Sequence, residues 1–282
     1  MKRPRLYLQL LTYAALVVAA AVVLYPVLLV VKKAFEPGRQ FALSASPIPT
    51  TLTTEHFADL FGARGGHGEL LFLHHAWNSL VAAILTTIVG VSLSCTAAYA
   101  LSRMRFPGHK AGLITFLVVQ MFPATLLIMP LYVLLDRLGL LNSMVGLVLV
   151  YATTAIPFCV WTLKGYFDSL PRELEEAARM DGAGAWQTFW RVMLPLARPG
   201  IAVTALFSFM TAWNEFIMAS TFLTDDSRYT LPVLIQSSVG QYSSDWGFFA
   251  AGAIVTSLPV MALFYVLQKF LVGGLTAGSV KG

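Results

Sequence analysis

Residues 168–200 read DSLPRELEEAARMDGAGAWQTFWRVMLPLARPG. This is the longest polar interruption in the second half of a very apolar sequence. Ser169 can cap a helix whose first turn holds Pro171, where a missing N–H does no harm. Glu173, Glu175 and Glu176 follow, and acids are favoured at the positive end of a helix dipole. Ala177 and Ala178 continue the helix, and Gly182 ends it. A second short helix is predicted from Ala185 to Met193, ahead of Pro195. Pro199 fixes the start of the next apolar run. The spacing therefore predicts helix, glycine elbow, helix, strung between two membrane spans.

The rest of the chain supplies those spans. Of 282 residues, 57% are hydrophobic and only 12% are charged, about half the share in a soluble domain at ~25%. The reading is an all-α, multi-pass membrane protein of one domain, residues 1–282. Six helices are predicted, each near the ~20 residues that cross a bilayer. They run from about Leu10 to Val31, Trp77 to Leu101, Leu113 to Leu135, Met144 to Leu163, Ile201 to Leu223 and Gly247 to Leu267. Residues 1–75 hold the first span and an outer loop, 76–271 the core, and 272–282 a tail. The first apolar run exceeds the ~7–15 residues of a signal-peptide core, so it reads as an uncleaved span. Pro123, Pro130, Pro157 and Pro259 fall inside predicted helices. They suit either bending in use or static kinks.

Charge sets the orientation. With the N-terminus inside, only Lys32, Lys33, Arg39, Arg64, Arg137 and Arg228 face outward, and the other thirteen of nineteen Lys and Arg face the cytoplasm. That bias predicts N-in and C-in, with residues 168–200 in the cytoplasm. Lys32 and Lys33 run against it and read as snorkelling side chains. The net charge of +5 is met by the membrane surface and calls for no nucleic acid. Cys95 and Cys159 lie in apolar runs and read as small core residues.

The pattern Glu176-Ala177-Ala178, three residues, Gly182, nine residues, Val192, one residue, Leu194-Pro195 resembles the EAA loop of ABC-importer permeases, with Val192 in place of the usual isoleucine. The segment Ala98–Gly108 looks like the junction after the second helix of carbohydrate importer permeases, and Trp161–Phe167 like the approach to their loop. Residues 274–282, GLTAGSVKG, resemble the tail of the MalG-type permeases, which handle maltose and maltodextrin. The likeness covers most of residues 76–282 and is weaker over 1–75.

The resemblance implies a bacterial inner-membrane permease that pairs with a second permease of related fold. It implies two copies of an ATP-binding subunit and an extracytoplasmic sugar-binding protein. ATP and Mg belong to the ATPase; this chain binds no cofactor. Carried over by residue, Glu176, Ala177, Ala178, Asp181 and Gly182 dock on the ATPase, with Leu194 and Pro195 closing the motif. Thr276, Ala277, Gly278 and Lys281 reach between the ATPase subunits. The loop from Thr224 to Asp245 occupies the position of an outer loop that meets the binding protein.

Trp213, Asn214 and Glu215 fall in mid-span. An ionisable group there costs on the order of 3 kcal/mol, so it faces protein or water. One reading lines a translocation path, with Trp213 stacking on sugar and the polar pair meeting hydroxyls. The other, preferred, is an interhelical hydrogen bond. Gln120 is a further path residue, with Trp161 and Tyr151 behind it. His56, His67, His74 and His75 lie in or next to the first outer loop, lack ligand spacing, and read as solvated.

No G-x-x-x-x-G-K-[ST], G-x-S-x-G or H-E-x-x-H occurs in the sequence, so the chain is read as no ATPase and no intramembrane enzyme. The alternatives are a permease for trehalose or glycerol phosphate, or a secondary transporter. The latter class shows several intramembrane charges or paired broken repeats.

Overall fold

The computed structural model describes residues 6–40, 46–66, 68–240 and 244–278, with side chains as far as Phe270. Among them every regular element is a helix, and two isolated bridges, Arg64 with Leu70 and Val239 with Ser244, are the only β pairings. The chain divides into two compact units, 1–73 with 234–258 and 74–233 with 259–282. The sequence marked a boundary at 75 but gave no sign that 234–258 joins the N-terminal part.

In the first unit, α1 (Leu6–Phe35) is apolar all round and exposed until its last turn. There Lys32 and Lys33 are buried at 5% and 4% exposure. Lys32 Nζ donates to the Ser46 carbonyl at 3.0 Å, and Lys33 Nζ to that of Gly38 at 2.6 Å. These bonds, not snorkelling, account for the two outer lysines, because a buried ammonium needs acceptors. α2 (Glu55–Gly62) follows and buries His56 and Leu60. His56 Nε2 bonds the Glu36 carbonyl at 3.0 Å, and the ring lies flat against Gly247, where any Cβ would meet it at 2.1 Å.

The second unit carries most of α3 (Leu71–Arg103), then α4 (His109–Met121) and, after a 3-10 turn, α5 (Ile128–Arg137). The predicted third span is not one helix. α4 and the Ala124–Arg137 segment meet at 97°. Phe122 precedes Pro123 and is forced to extended backbone, φ −73° and ψ 127°. Pro130 sits in the first turn of α5, where no N–H is needed.

α6 (Met144–Ser169) is capped by Ser143, whose hydroxyl accepts from Gly146 N at 3.0 Å. Past α7 (Glu173–Met180) come α8 (Ala185–Thr188), a π-turn at Phe189–Met193 and the single turn α9 (Leu194–Leu196). α10 (Arg198–Trp213) then packs along α6. The approach is close because Gly200 lies under the Tyr166 ring, with an added Cβ only 2.8 Å from Tyr166 Cγ. Ala155, Cys159 and Thr204 fill the same seam, each fully buried, as small residues do between membrane helices.

The predicted fifth span is also broken: α10 stops at Trp213 and α11 covers Ile217–Phe222. α12 (Leu231–Ser237) and α13 (Trp246–Gly278) complete the order. α13 runs past the predicted end at Leu267. Among the described residues four helices, α1, α3, α6 and α13, are long and apolar enough to cross a membrane; six crossings require that each of two bent pairs, His109–Met121 with Ala124–Arg137 and Ala185–Leu196 with Arg198–Trp213, count as one.

Candidate functional site

The connection from α6 to α10 has the predicted helix–elbow–helix form, with one change at its start. Ser169 is the last residue of α6 rather than a cap, and its hydroxyl donates back to the Tyr166 carbonyl at 2.7 Å. Leu170, ahead of Pro171, is extended at ψ 135°. α7 then opens at Glu173 with three acids in its first turn. It ends at Met180, and the turn that follows passes through Gly182, whose φ of +84° is left-handed and so favours glycine. Gln187 Oε1 accepts from Gly184 N at 3.2 Å and starts α8.

The three acids face different ways. Glu173 and Glu176 are exposed, whereas Glu175 is buried at 6% exposure. Its Oε1 meets Arg103 Nε at 2.6 Å, an ion pair with both side chains under a tenth exposed. Tyr99 OH lies 3.5 Å from the other carboxylate oxygen. Arg103 Nη2 also donates to the Leu170 carbonyl at 2.8 Å. One guanidinium at the C-terminal end of α3 thus holds the end of α6 and the first turn of α7. Beside it, Asp168 accepts from Ser102 Oγ and pairs with Lys164 Nζ, each at 2.6 Å.

The inner face of the loop is an apolar cluster. Phe189 and Met193 pack with Cys95, Ala98, Tyr99, Leu163 and Phe167. The Tyr99 ring sits 4.9 Å from Phe189 and 5.7 Å from Phe167. Large apolar side chains of the loop are also exposed, among the charged Glu173, Glu176 and Arg179. Met180 is 89% and Trp186 68% exposed, with Leu174 and Trp190 beside them. Trp186 and Trp190 meet edge to face at 5.5 Å. A cavity of about 310 Å³ opens against Trp186, between Tyr99, Met104 and Phe189. Ala177, Asp181 and Pro195 are exposed, Ala178 and Leu194 half-buried.

The second polar site lies at the break after α10. Asn214 is exposed and its Nδ2 donates to the Met210 carbonyl at 2.9 Å. Glu215 accepts from Met218 N at 2.7 Å and Ala219 N at 3.0 Å, one bond to each oxygen. The carboxylate therefore caps α11, at the end of a helix that stabilises negative charge. The phenol of Tyr151, itself buried, is within electrostatic reach. Trp213 is 2% exposed and stacked at 12° on Phe209, 5.7 Å away. That burial leaves its ring no open face for a sugar in this conformation. Gln120, near the end of α4, is exposed.

The histidines read as solvated are tied down. Besides buried His56, His75 Nδ1 donates to the Tyr229 carbonyl at 2.9 Å and His74 Nε2 to that of Ser227 at 2.5 Å. Asn78 donates to both carbonyls at 3.0 Å. They hold the loop after α11 against the start of α3. His67 lies outside the described residues. Of the tail, Thr276, Ala277 and Gly278 continue the α13 backbone, and Lys281 lies outside the described residues.

The sequence places Arg103 in the junction segment Ala98–Gly108 and does not mark it as the partner of Glu175.

Comparison with known proteins agrees with this geometry. The family described as "Binding-protein-dependent transport system inner membrane component" matches residues 90–276. The maltose/maltodextrin transport system permease protein MalG of Yersinia pestis is 40% identical over 93% of this chain and 90% of its own length. The maltodextrin transport system permease protein MdxG of Bacillus subtilis is 37% identical over 99% and 98%. A bacterial ABC transporter structure, involved in the import of the acidic polysaccharide alginate, shares the fold. It has a TM-score of 0.74 at 23% identity, covering 93% of this chain and 96% of that one. With a match over more than half its length and relatives aligned nearly end to end, this chain belongs to the inner-membrane components of binding-protein-dependent transport systems.

Proposed function

We propose that this chain forms half of the translocation pathway of an ATP-driven importer for maltose, maltodextrin or a related oligosaccharide. It is a permease subunit, and ATP and Mg bind to a separate ATPase. The observation that carries this reading is the loop of residues 170–197. It is sealed to the spans through Phe189, Met193 and Arg103, while Leu174, Met180, Trp186 and Trp190 of the same loop are exposed. Exposed apolar patches of this kind mark interfaces.

In the account, N-terminus and loop face the cytoplasm. Glu176, Ala177, Ala178, Asp181 and Gly182 dock in a cleft of the ATPase, while Leu194 and Pro195 turn the chain back to the membrane. The tail, Thr276 to Lys281, reaches between the two ATPase subunits. A second permease completes the pathway, and a periplasmic binding protein delivers sugar; one alginate-importer neighbour was solved with such a protein carrying a pentasaccharide. Gln120 and Asn214, the exposed amides, are the residues of this chain for the path. Glu215 serves this chain as a helix cap.

The test is uptake of labelled maltodextrin into proteoliposomes holding the whole complex. Sugar-loaded binding protein is supplied outside and ATP inside. Uptake that needs both supports the reading, and substitution of trehalose or glycerol phosphate fixes the cargo. Uptake by this chain without ATP would contradict it.

A further inference from the structure

Within the docking loop, two neighbouring acids are set apart. Glu176 is exposed on α7, and Glu175 is buried against Arg103. An ordinary amphipathic helix has no use for a buried charge on its inner side, since desolvating an ion pair costs about as much as the pair returns. The arginine is the last residue of a 33-residue helix, α3. It binds Glu175 on α7 and the Leu170 carbonyl at the end of α6. Tyr99, one turn earlier on α3, reaches the same carboxylate and wedges its ring between Phe167 and Phe189. Three elements therefore share one charge centre. Apolar contacts alone let a helix slide; a close, desolvated ion pair resists separation of its two charges.

We infer that the Arg103–Glu175 pair is a strut that transmits movement of α7 into α3 and α6, so that Glu175 is a positioning residue for coupling and not a docking residue. The inference rests on the reading of residues 170–197 as the ATPase-docking loop. A loop that only docked would need α7 anchored to α6, its own chain neighbour. The pair instead fastens it to α3, some seventy positions away in sequence, which is a membrane-crossing helix. Displacement of α7 then moves α3 with it.

The experiment uses the complete complex in proteoliposomes. It compares wild type with E175Q, R103Q, the double variant and, among the exposed residues of the loop, W186A. Two quantities are read: ATPase subunit recovered with the permease, and stimulation of ATP hydrolysis by sugar-loaded binding protein. E175Q keeps the shape of the side chain and is expected to retain the ATPase subunit. Its stimulation is expected to fall by about tenfold, within the ~5–150-fold range of ordinary coupling free energies. The double variant is expected to be no worse than either single one, because members of one pair are not additive. W186A is expected to lower ATPase recovery instead. If W186A costs recovery while E175Q and R103Q keep full stimulation, the strut is wrong and the docking reading stands. If W186A costs no recovery, the docking reading itself has failed. Should the glutamine variants not assemble, R103K decides: it keeps the charge but cannot hold both Glu175 and Leu170, so the strut predicts assembly with reduced stimulation, and full stimulation overturns it.

Discussion

Replacing Glu215 with alanine separates a structural carboxylate from a substrate ligand. The side chain accepts two backbone N–H bonds, at 2.7 and 3.0 Å, from the first turn of α11. Hydrogen bonds to a charged acceptor contribute about 1.5–3 kcal/mol each, whereas measured losses of a helix cap are about 0.5–2 kcal/mol. The residue is only half-buried, so water replaces part of what is lost. The two figures, about 3–6 kcal/mol for both bonds and about 0.5–2 kcal/mol for a cap, bracket an expected cost of about 2–3 kcal/mol for Glu215→Ala. Glu215→Gln keeps one acceptor oxygen and is expected to lose roughly half of that, since its amide nitrogen cannot accept. The assay is thermal unfolding of the purified complex together with the KM for sugar-stimulated hydrolysis in the surviving fraction. At roughly 2–4 °C per kcal/mol for large domains, the alanine variant melts several degrees lower and the glutamine variant falls between. The KM stays within about twofold, because a group acting only on folding leaves substrate binding unchanged. A variant with unchanged melting and a KM raised tenfold or more refutes the capping argument and returns Glu215 to the sugar path.

Two further predictions follow from close backbone approaches. Gly200→Ala places a methyl 2.8 Å from Tyr166 Cγ, and overpacking of this kind costs about 1–3 kcal/mol; the variant is expected to express at lower level, with partial recovery when Tyr166→Ala removes the ring and its Cγ, read by detergent-resistant folded yield. Gly247→Ala drives a methyl into the buried His56 ring at 2.1 Å and breaks its seat on the Glu36 carbonyl; limited proteolysis is expected to cut the segment after α1 faster than in wild type, and unchanged cutting contradicts the packing.

How much of this was legible depended on how local the cause was. The loop of residues 168–200 read well because each signal acts within a turn: acids at a helix start, a glycine at φ +84°, prolines at helix entries. The apolar runs were equally plain, since a span needs only length and composition. What failed was continuity. Pro123 was visible, yet only tertiary packing sets whether a proline kinks a helix or ends it; here the chain turns by 97°. The break after Trp213 has no proline or glycine at all. It forms because Glu215 satisfies the N–H groups of a new helix, a role that sequence cannot separate from an interhelical bond. Lys32, Lys33, His56 and His75 were read as exposed because their partners are backbone carbonyls, and a carbonyl leaves no mark on composition. Arg103 and Glu175 were missed for a related reason: their pairing spans α3 to α7 and no local spacing encodes it.

The central claim is that residues 170–197 carry the work of a partner ATPase into this membrane chain. Gly182 tests it most directly. A side chain there must hold a left-handed backbone at a cost of about 1–2 kcal/mol, in a position with no atom within 4 Å of its Cβ. The spans are therefore left intact while the elbow is altered. The measurement is binding-protein-stimulated ATP hydrolysis by proteoliposomes carrying wild type or Gly182→Leu, with co-purification of the ATPase subunit as the check on assembly. The variant is expected to lose the ATPase subunit or its sugar stimulation. Full assembly with undiminished stimulation would contradict it.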